Sequence, residues 1–500
     1  MLKPEELTQR EREILVLLAE GKTIKAIALH VNLAAETIRW YTKQIYSKLG
    51  VSSREDAVAS AAQLGVIRAA ITPATPVEKS PVRYLDNDGV SIAYQVFGRG
   101  PVDLLFIMGF VSHLEACWEE PGYAEFFEEL ARHNRIIMFD KRGVGLSDRA
   151  QGASTIDNTI SDALAVLRAV GSARAFITGT SESGAAAVLM ASMHPDLARG
   201  LILIAATPLP ARQTNEPTWA LPWDTFEERI ASIKSTWGEP WALERLAPSR
   251  RGNVAFEGWW ARALRVASSP SSVELILKQT MRVDIRAILP QVQTRTLVVH
   301  RTGDRVVNVG AGRHFAAAMP NARLLELSGD DHLFFVDGLP VARAMNQFIA
   351  EPEAEPEIDA WVAIVLHMAG AGSQLDDEKR RIIESRQPRA IAATSSGWVA
   401  MFDSPNRAVR CAQRLRELGR GRVGGMALHV GPCRTSDGVP VGASHAIALR
   451  LAALAAPGEV LVSSTLRDIL AGSPVKLTPY ALDGGDASWA ASTVWQLASD

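Results

Sequence analysis

Cysteine is scarce in this chain of 500 residues: there are three, Cys117, Cys411 and Cys433, far apart and in no paired spacing. That excludes a disulfide framework and a cysteine-built zinc site, and an odd, scattered set fits a reducing compartment. An excess of one charge is also missing, since 53 Lys and Arg stand against 55 Asp and Glu for a net charge of -2. Any basic surface for a nucleic acid must therefore be local. Long apolar runs are lacking too; residues 201–206 form one of the longest and are far too short to span a bilayer. The opening MLKPEELTQREREIL carries early acidic residues and no apolar stretch, which argues against a secretory signal. A cytoplasmic chain without membrane association is expected. Aromatic residues make up only 6%, so a local concentration of them is informative.

What is present divides the chain. Five hundred residues exceed one hydrophobic core, which predicts roughly three domains. TPATPVEKSP near residue 72 and EPEAEPEID near residue 351 are proline-bearing and without apolar periodicity, as inter-domain tethers are. The expected division is a helical block at 1–70, a linker at 71–82, a large block at 83–351, a linker at 352–360 and a final block at 361–500.

The first block reads as four short helices. Thr8 and Glu11 have the spacing of a capping box, and Ile14, Leu15, Leu17 and Leu18 follow as an apolar face. Gly21 stops that helix, and a second carries Ile24, Ile27, Ala28 and Val31. A third runs from about Glu36 to Leu49 and ends at Gly50, with Ile38, Ile45 and Leu49 on its inner face. Thr37, Arg39, Lys43, Gln44 and Lys48 occupy its other faces. Two helices, a tight turn and a basic third helix make a helix-turn-helix that reads the major groove, with these five residues as candidate DNA contacts. The run LTQREREILVLLAEGKTIKAIALHVNLAAETIRWYTKQIYSKLGV resembles the LuxR/GerE-type DNA-binding module, matching at Leu7, Thr8, Glu11, Gly21, Ile27, Ala28, Thr37, Ile38 and Lys48 to Gly50. It departs at Ile24 and Tyr41. The resemblance implies double-stranded promoter DNA as a partner and a homodimer, because one reader covers a single half-site.

In the second block apolar runs alternate with helical stretches. Segments 103–108, 135–139, 175–178, 200–205, 296–300 and 323–327 read as buried strands of a parallel, two-faced sheet. Three strand ends carry chemistry. Gly179-Thr180-Ser181-Glu182-Ser183-Gly184 has the strand-turn-helix pattern of a nucleophile elbow, with Ser183 where G-x-S-x-G has its second glycine. Asp304 follows one later strand and His332 the next, so Ser181, Asp304 and His332 come in the chain order of a hydrolase triad. Gly109 turns the chain after an early strand, and the amides of Phe110 and Glu182 are the expected oxyanion donors. FDKRGVGLSD and ASMHPDLARGLILIAA strengthen a resemblance to the α/β-hydrolase superfamily over the whole block. Asp140, Arg142 and Ser147 are then expected to be structural.

Residues 208–281 break the strand rhythm and are expected to form a helical cap. They hold six of the chain's 12 tryptophans, Trp219, Trp223, Trp237, Trp241, Trp259 and Trp260. Clustered rings serve packing as readily as ligand contact. Gly109, His113, Trp118, Trp219 and Trp223 are the candidate ligand-binding residues. No cofactor and no metal are expected there.

The last block again reads as mixed helix and strand, with strands at 362–367, 399–402 and 460–463 and a helix at 406–418. SGWVAMFDSPNRAVRCAQRL, GMALHVGPC and LRLAALAAPGEVLVSSTLRDIL resemble the class III nucleotide cyclase domain, which implies an α+β, ferredoxin-like fold. Where that family has metal-binding carboxylates this chain has Met368 and Ser396, and Ala446 stands near the family's asparagine, although Arg450 matches. Neither Met368 nor Ser396 supplies a hard anionic oxygen, so a degenerate domain without cyclase activity is expected.

The expected fold is thus multidomain: an all-α helix-turn-helix, an α/β-hydrolase fold with a helical cap, and an α+β cyclase-like domain. The leading expectation is a transcriptional regulator whose middle domain binds, with hydrolysis left open, an apolar ester- or lactone-like ligand. The alternative is an active serine esterase with an accessory DNA-binding module.

Overall fold

In a computed structural model of the protein, the described residues are 7–19, 35–51, 79–149, 155–352, 361–370, 375–419, 422–436, 439–481 and 494–498, with scattered positions between 22 and 57. The chain divides into two compact units, Met1–Val77 and Glu78–Asp500.

In the first unit, helices Gln9–Ala19 and Ala35–Leu49 share one apolar core with Ile14, Leu15, Ile27, Ile38 and Ile45 fully buried. The capping box forms: the Thr8 amide donates to Glu11 Oε2 at 2.8 Å, and the Glu11 amide donates to Thr8 Oγ1 at 3.2 Å. Gly50 ends the later helix with φ at +68°, its N–H returning to the carbonyls of Ser47 and Tyr46. Ile24, Ile27, Ala28 and Val31 of the expected second helix pack in this core, but the rest of that helix, most of the expected fourth, the stop at Gly21 and most of both expected linkers lie outside the described residues.

The second unit contains an eight-stranded sheet in the order β1-β2-β4-β3-β5-β6-β9-β10. Its strands are β1 (Arg83–Asn87), β2 (Val90–Phe97), β3 (Val102–Ile107), β4 (Asn134–Phe139), β5 (Ala175–Thr180), β6 (Ala198–Ile204), β9 (Thr296–Arg301) and β10 (Ala322–Leu327). From β4 to β10 every pairing is parallel. Strands β5 and β9 are buried at every residue, because helices cover both faces of the sheet and leave no polar side. The antiparallel hairpin β1–β2 is an addition to the six expected strands. Its turn, Asp88-Gly89, takes positive φ at both residues (+56° and +74°), as a tight two-residue hairpin requires.

Between β6 and β9 lies a mostly helical insertion that begins with a two-residue parallel ladder, β7 (Ala211–Arg212) and β8 (Leu221–Pro222). Helices Trp223–Ala231, Leu243–Leu246, Val254–Ala267 and Pro270–Thr280 follow.

A second sheet runs β12-β13-β11-β14-β16-β18-β17, with β15 (Val439–Val441) paired to β14. These strands are β11 (Trp361–Ala369), β12 (Ala390–Thr394), β13 (Gly397–Phe402), β14 (Met426–Ser436), β16 (Val460–Ser463), β17 (Leu477–Pro479) and β18 (Val494–Leu497). Only β14 and β16 are parallel. The two sheets do not have separate interiors. Ile160, Val166, Ala186 and Met190 from helices of the first sheet join Ile364, Leu366, Leu428 and Val462 of the second in one apolar cluster. Polar contacts rim the junction: Arg389 bonds His194 Nδ1 at 2.8 Å, and Ser404 Oγ donates to Asp157 Oδ2 at 3.1 Å. Burial pushes the Asp157 carboxyl up to about 6, against the pull of Ser404 and Asn406.

Candidate active site

Strand β5 ends in a turn that holds Ser181 at φ +52°, a strained angle for a residue with a side chain. The turn is tight because its neighbours are small. A Cβ on Gly184 would lie 2.5 Å from Ala206 Cβ, and one on Gly109 would lie 2.9 Å from the Thr180 carbonyl oxygen. Ser183, the residue in place of the second motif glycine, uses its hydroxyl to bind the Met108 carbonyl at 2.8 Å, tying the elbow to the end of β3.

The structure brings Ser181, Asp304 and His332 together. His332 Nε2 is 3.0 Å from Ser181 Oγ, and His332 Nδ1 is 2.8 Å from Asp304 Oδ2. Burial acts to raise the Asp304 carboxyl, but His332, His300 and the Val306 amide more than offset it and hold it below the usual carboxylate range. Asp304 therefore stays ionised and holds the imidazole in the orientation a general base needs. Cys117 also reaches the cavity above Ser181, but burial pushes its thiol up to about 12, so it is no competing nucleophile.

The expected oxyanion donors are arranged differently from the expectation. The Phe110 amide donates to the carboxylate of Glu182. That carboxylate also accepts from Lys141 Nζ at 2.9 Å, in an ion pair whose side chains are 4% and 11% exposed. Glu182 was expected to contribute its backbone; its side chain occupies the other donor of the pair.

Above Ser181 is a cavity of about 170 Å³. Gly109, His113 and Trp219 line it. Trp118 and Trp223 do not, which corrects two of the five candidate ligand contacts. Trp118 is half-buried and held by Phe97 (ring centroids 4.9 Å apart), by Lys79 over its ring and by a 3.2 Å bond from its Nε1 to Gln95. Trp223 packs with Ala211, Ile230 and Ile233 within the cap and faces Arg282. Asp140, Arg142 and Ser147 are joined to the scaffold: Asp140 accepts from Ser112 and from the amides of Leu114 and Leu146, Arg142 pairs with Asp162 at 2.6 Å, and Ser147 Oγ receives the Ala93 amide.

On helix Ala35–Leu49, Arg39 and Lys43 are exposed, with Arg39 in a surface ion pair with Glu36, while Thr37 and Gln44 are half-buried. Lys48 is placed otherwise. Its ammonium pairs with the buried Glu11 at 2.7 Å and pins this helix to Gln9–Ala19, so its charge is committed to the packing of the module. Trp40, 56% exposed beside Arg39, is a surface aromatic that the sequence reading passed over.

Comparison with known proteins agrees with both regions. Residues 5–61 match the bacterial regulatory proteins of the luxR family, and residues 104–339 match the α/β-hydrolase fold. The chain joins a LuxR-type DNA-binding regulator module to an α/β-hydrolase domain. The regulator is 27% identical over 261 residues to a pimeloyl-[acyl-carrier protein] methyl ester esterase of Xanthomonas oryzae, a match spanning 51% of this chain and 97% of the relative. It is 47% identical over 55 residues to the probable transcriptional regulatory protein SgaR of Hyphomicrobium methylovorum, spanning 11% of this chain and 26% of that one. A solved hydrolase from Pseudomonas aeruginosa aligns with 54% of the chain and 99% of its own, at 25% identity and a TM-score of 0.45.

Several residues of the regulator's cavity carry no motif and escaped the sequence reading. Trp241, Trp259 and Trp260 line it, with Trp241 stacked on Phe110 at 5.4 Å between centroids. Phe226, Ile230 and Leu277 add apolar wall, and Arg229 and Arg245 are its two arginines. The tryptophan concentration located the cap; nothing in spacing alone separates its lining rings from its packing rings.

No helix among the described residues is long and apolar enough to cross a membrane.

Proposed function

We propose that the α/β-hydrolase cavity of this regulator binds a small apolar ester- or lactone-like compound and thereby controls binding to double-stranded promoter DNA. The observation that carries the reading is an aromatic, mostly apolar cavity with Ser181 in its wall, on the same chain as a LuxR-type reader. A carbonyl carbon placed at Ser181 Oγ would be attacked as His332 Nε2 takes the hydroxyl proton, with Asp304 stabilising the resulting imidazolium. The developing oxyanion would then have to displace the Glu182 carboxylate from the Phe110 amide. A neutral ground-state carbonyl meets no such competition. Glu182 thus favours binding over turnover, which suits a sensor. The reading of an active serine esterase rests on the hydrogen-bonded triad, and Glu182 argues for slow hydrolysis within it.

We further infer that residues 361–500 are a degenerate cyclase-like, ferredoxin-like scaffold and that the chain works as a homodimer. The order β12-β13-β11-β14, antiparallel throughout and built from a strand-helix-strand-strand-helix-strand succession, supports the scaffold. Met368 and Ser396 in place of carboxylates support the absence of cyclase chemistry.

The test uses the full chain with Ser181 free or phosphorylated by paraoxon. Selection from a random duplex pool supplies a binding site, and affinity for it is measured in both states. A change of severalfold on phosphorylation is expected in the parent protein and none in Ser181→Ala treated alike. Equal affinity with Ser181 free and occupied would overturn the coupling of cavity to DNA.

A further inference from the structure

Resting on the cavity reading above, we propose that the ligand is an amphipathic carbonyl compound ending in a carboxylate, and that Arg229 and Arg245 of the cap receive that anion. The two arginines come from separate cap helices, Trp223–Ala231 and Leu243–Leu246, and line the same cavity as Ser181. Arg229 is half-buried, and its guanidinium makes no hydrogen bond or ion pair among the described residues. Its charged neighbours are Arg245, a like charge, and Glu244. Arg245 pairs with Glu244 at 2.7 Å, but that glutamate side chain is 47% exposed and the pair is screened by water. Among the described residues the one carboxylate in the cavity lining, Glu182, is already bound to Lys141 and to the Phe110 amide.

Half-burying a guanidinium with no protein acceptor costs part of its hydration, and a second one beside it adds repulsion. Burial and Arg245 together depress the Arg229 pKa, in agreement with that cost. Arginine presents its donors as a planar fork that fits two coplanar oxygens, so one carboxylate satisfies donors that the protein leaves open. The other cap walls are mostly apolar, with Phe226, Ile230, Trp241 and Leu277 among them. They offer a bed for a short hydrocarbon body between anion and carbonyl.

The test titrates full-length Ser181→Ala protein, in which neither probe is consumed, following the fluorescence of the cavity tryptophans. The probes are matched pairs of six to ten carbons: the methyl ester of a fatty acid, and the monomethyl ester of the dicarboxylic acid of equal length. The charged member of the best pair is expected to bind about tenfold tighter, as charge-assisted hydrogen bonds do. Adding Arg229→Gln should remove most of that preference, and continued binding of the neutral ester shows that the variant is folded. If the neutral ester binds as tightly as the charged one, the anion assignment falls and the cavity reading stands. The same holds if the preference survives both Arg229→Gln and Arg245→Gln. If no ester of either kind binds, the cavity reading itself fails and this inference with it.

Discussion

The floor and the roof of the cavity are built on opposite terms. At the floor each polar group named above has found a partner: Ser181 with His332, His332 with Asp304, and Glu182 with Lys141 and the Phe110 amide. At the roof Arg229 has no hydrogen bond or ion pair among the described residues and is pressed by Arg245. A saturated floor is rigid before any ligand arrives, whereas an unsatisfied roof gains most when one does. On the reading proposed above, the contrast separates the hydrogen-bonded triad from the arginines that would receive the ligand's anion.

The largest effect expected on the floor is kinetic. Ser181→Ala should lower hydrolysis of p-nitrophenyl butyrate by about 10³-fold or more, as loss of a triad nucleophile does. Hydrolysis persisting in the variant would show that the hydrogen-bonded triad is not the catalytic group. Next comes stability. Lys141→Met strands the buried Glu182 carboxylate and should cost about 3 kcal/mol in urea unfolding. Arg229→Met removes a charge with nothing to lose and should be neutral or mildly stabilising. Equal losses in the two variants would erase the distinction between floor and roof.

A smaller effect runs the other way. Glu182→Ala frees the Phe110 amide and is expected to raise p-nitrophenyl butyrate turnover about tenfold, since one oxyanion donor is worth at least that. A variant slower than the parent would mean that the Glu182 side chain assists the reaction. The smallest effect concerns acid. The folded-state pKa of Asp304 lies below its unfolded value. Its contribution to stability is therefore complete above about pH 5 and fades as pH falls through the folded-state pKa. Urea midpoints taken from pH 6 to pH 3 should fall more steeply for the parent than for Asp304→Asn. Parallel slopes would show that His332 does not hold Asp304 ionised.

The sequence was most legible where the backbone constrains residue type. The parallel strands came out within a few residues because β5 and β9, buried on both faces, must be continuously apolar. The triad was legible because a strained turn admits only small neighbours and because each member ends a strand. Hairpin β1–β2 was less visible, since β1 is largely exposed and has no apolar run, although Asp88-Gly89 is a turn signal that could have found it. The sorting of Trp118 and Trp223 away from the cavity was not legible. Which side of a cap ring meets ligand depends on how several short helices cross, and no local pattern encodes that. The role of the Glu182 side chain was hidden for the same reason, since its partner Lys141 is 41 positions earlier in the chain.

Helix Ser183–Met193, which begins just after Ser181, is buried at every residue, with the β5 side of the first sheet beneath it and β11 of the second sheet in its apolar cluster. A chain cut after residue 352 would leave part of this alanine- and methionine-rich helix, together with Ile160 and Val166, facing water. Although 97% of the Xanthomonas oryzae esterase aligns with only 51% of this chain, a fragment of this chain ending at residue 352 should aggregate when expressed by itself. The elbow of this protein is in effect a keystone between two sheets, and neither sheet can be quarried out alone.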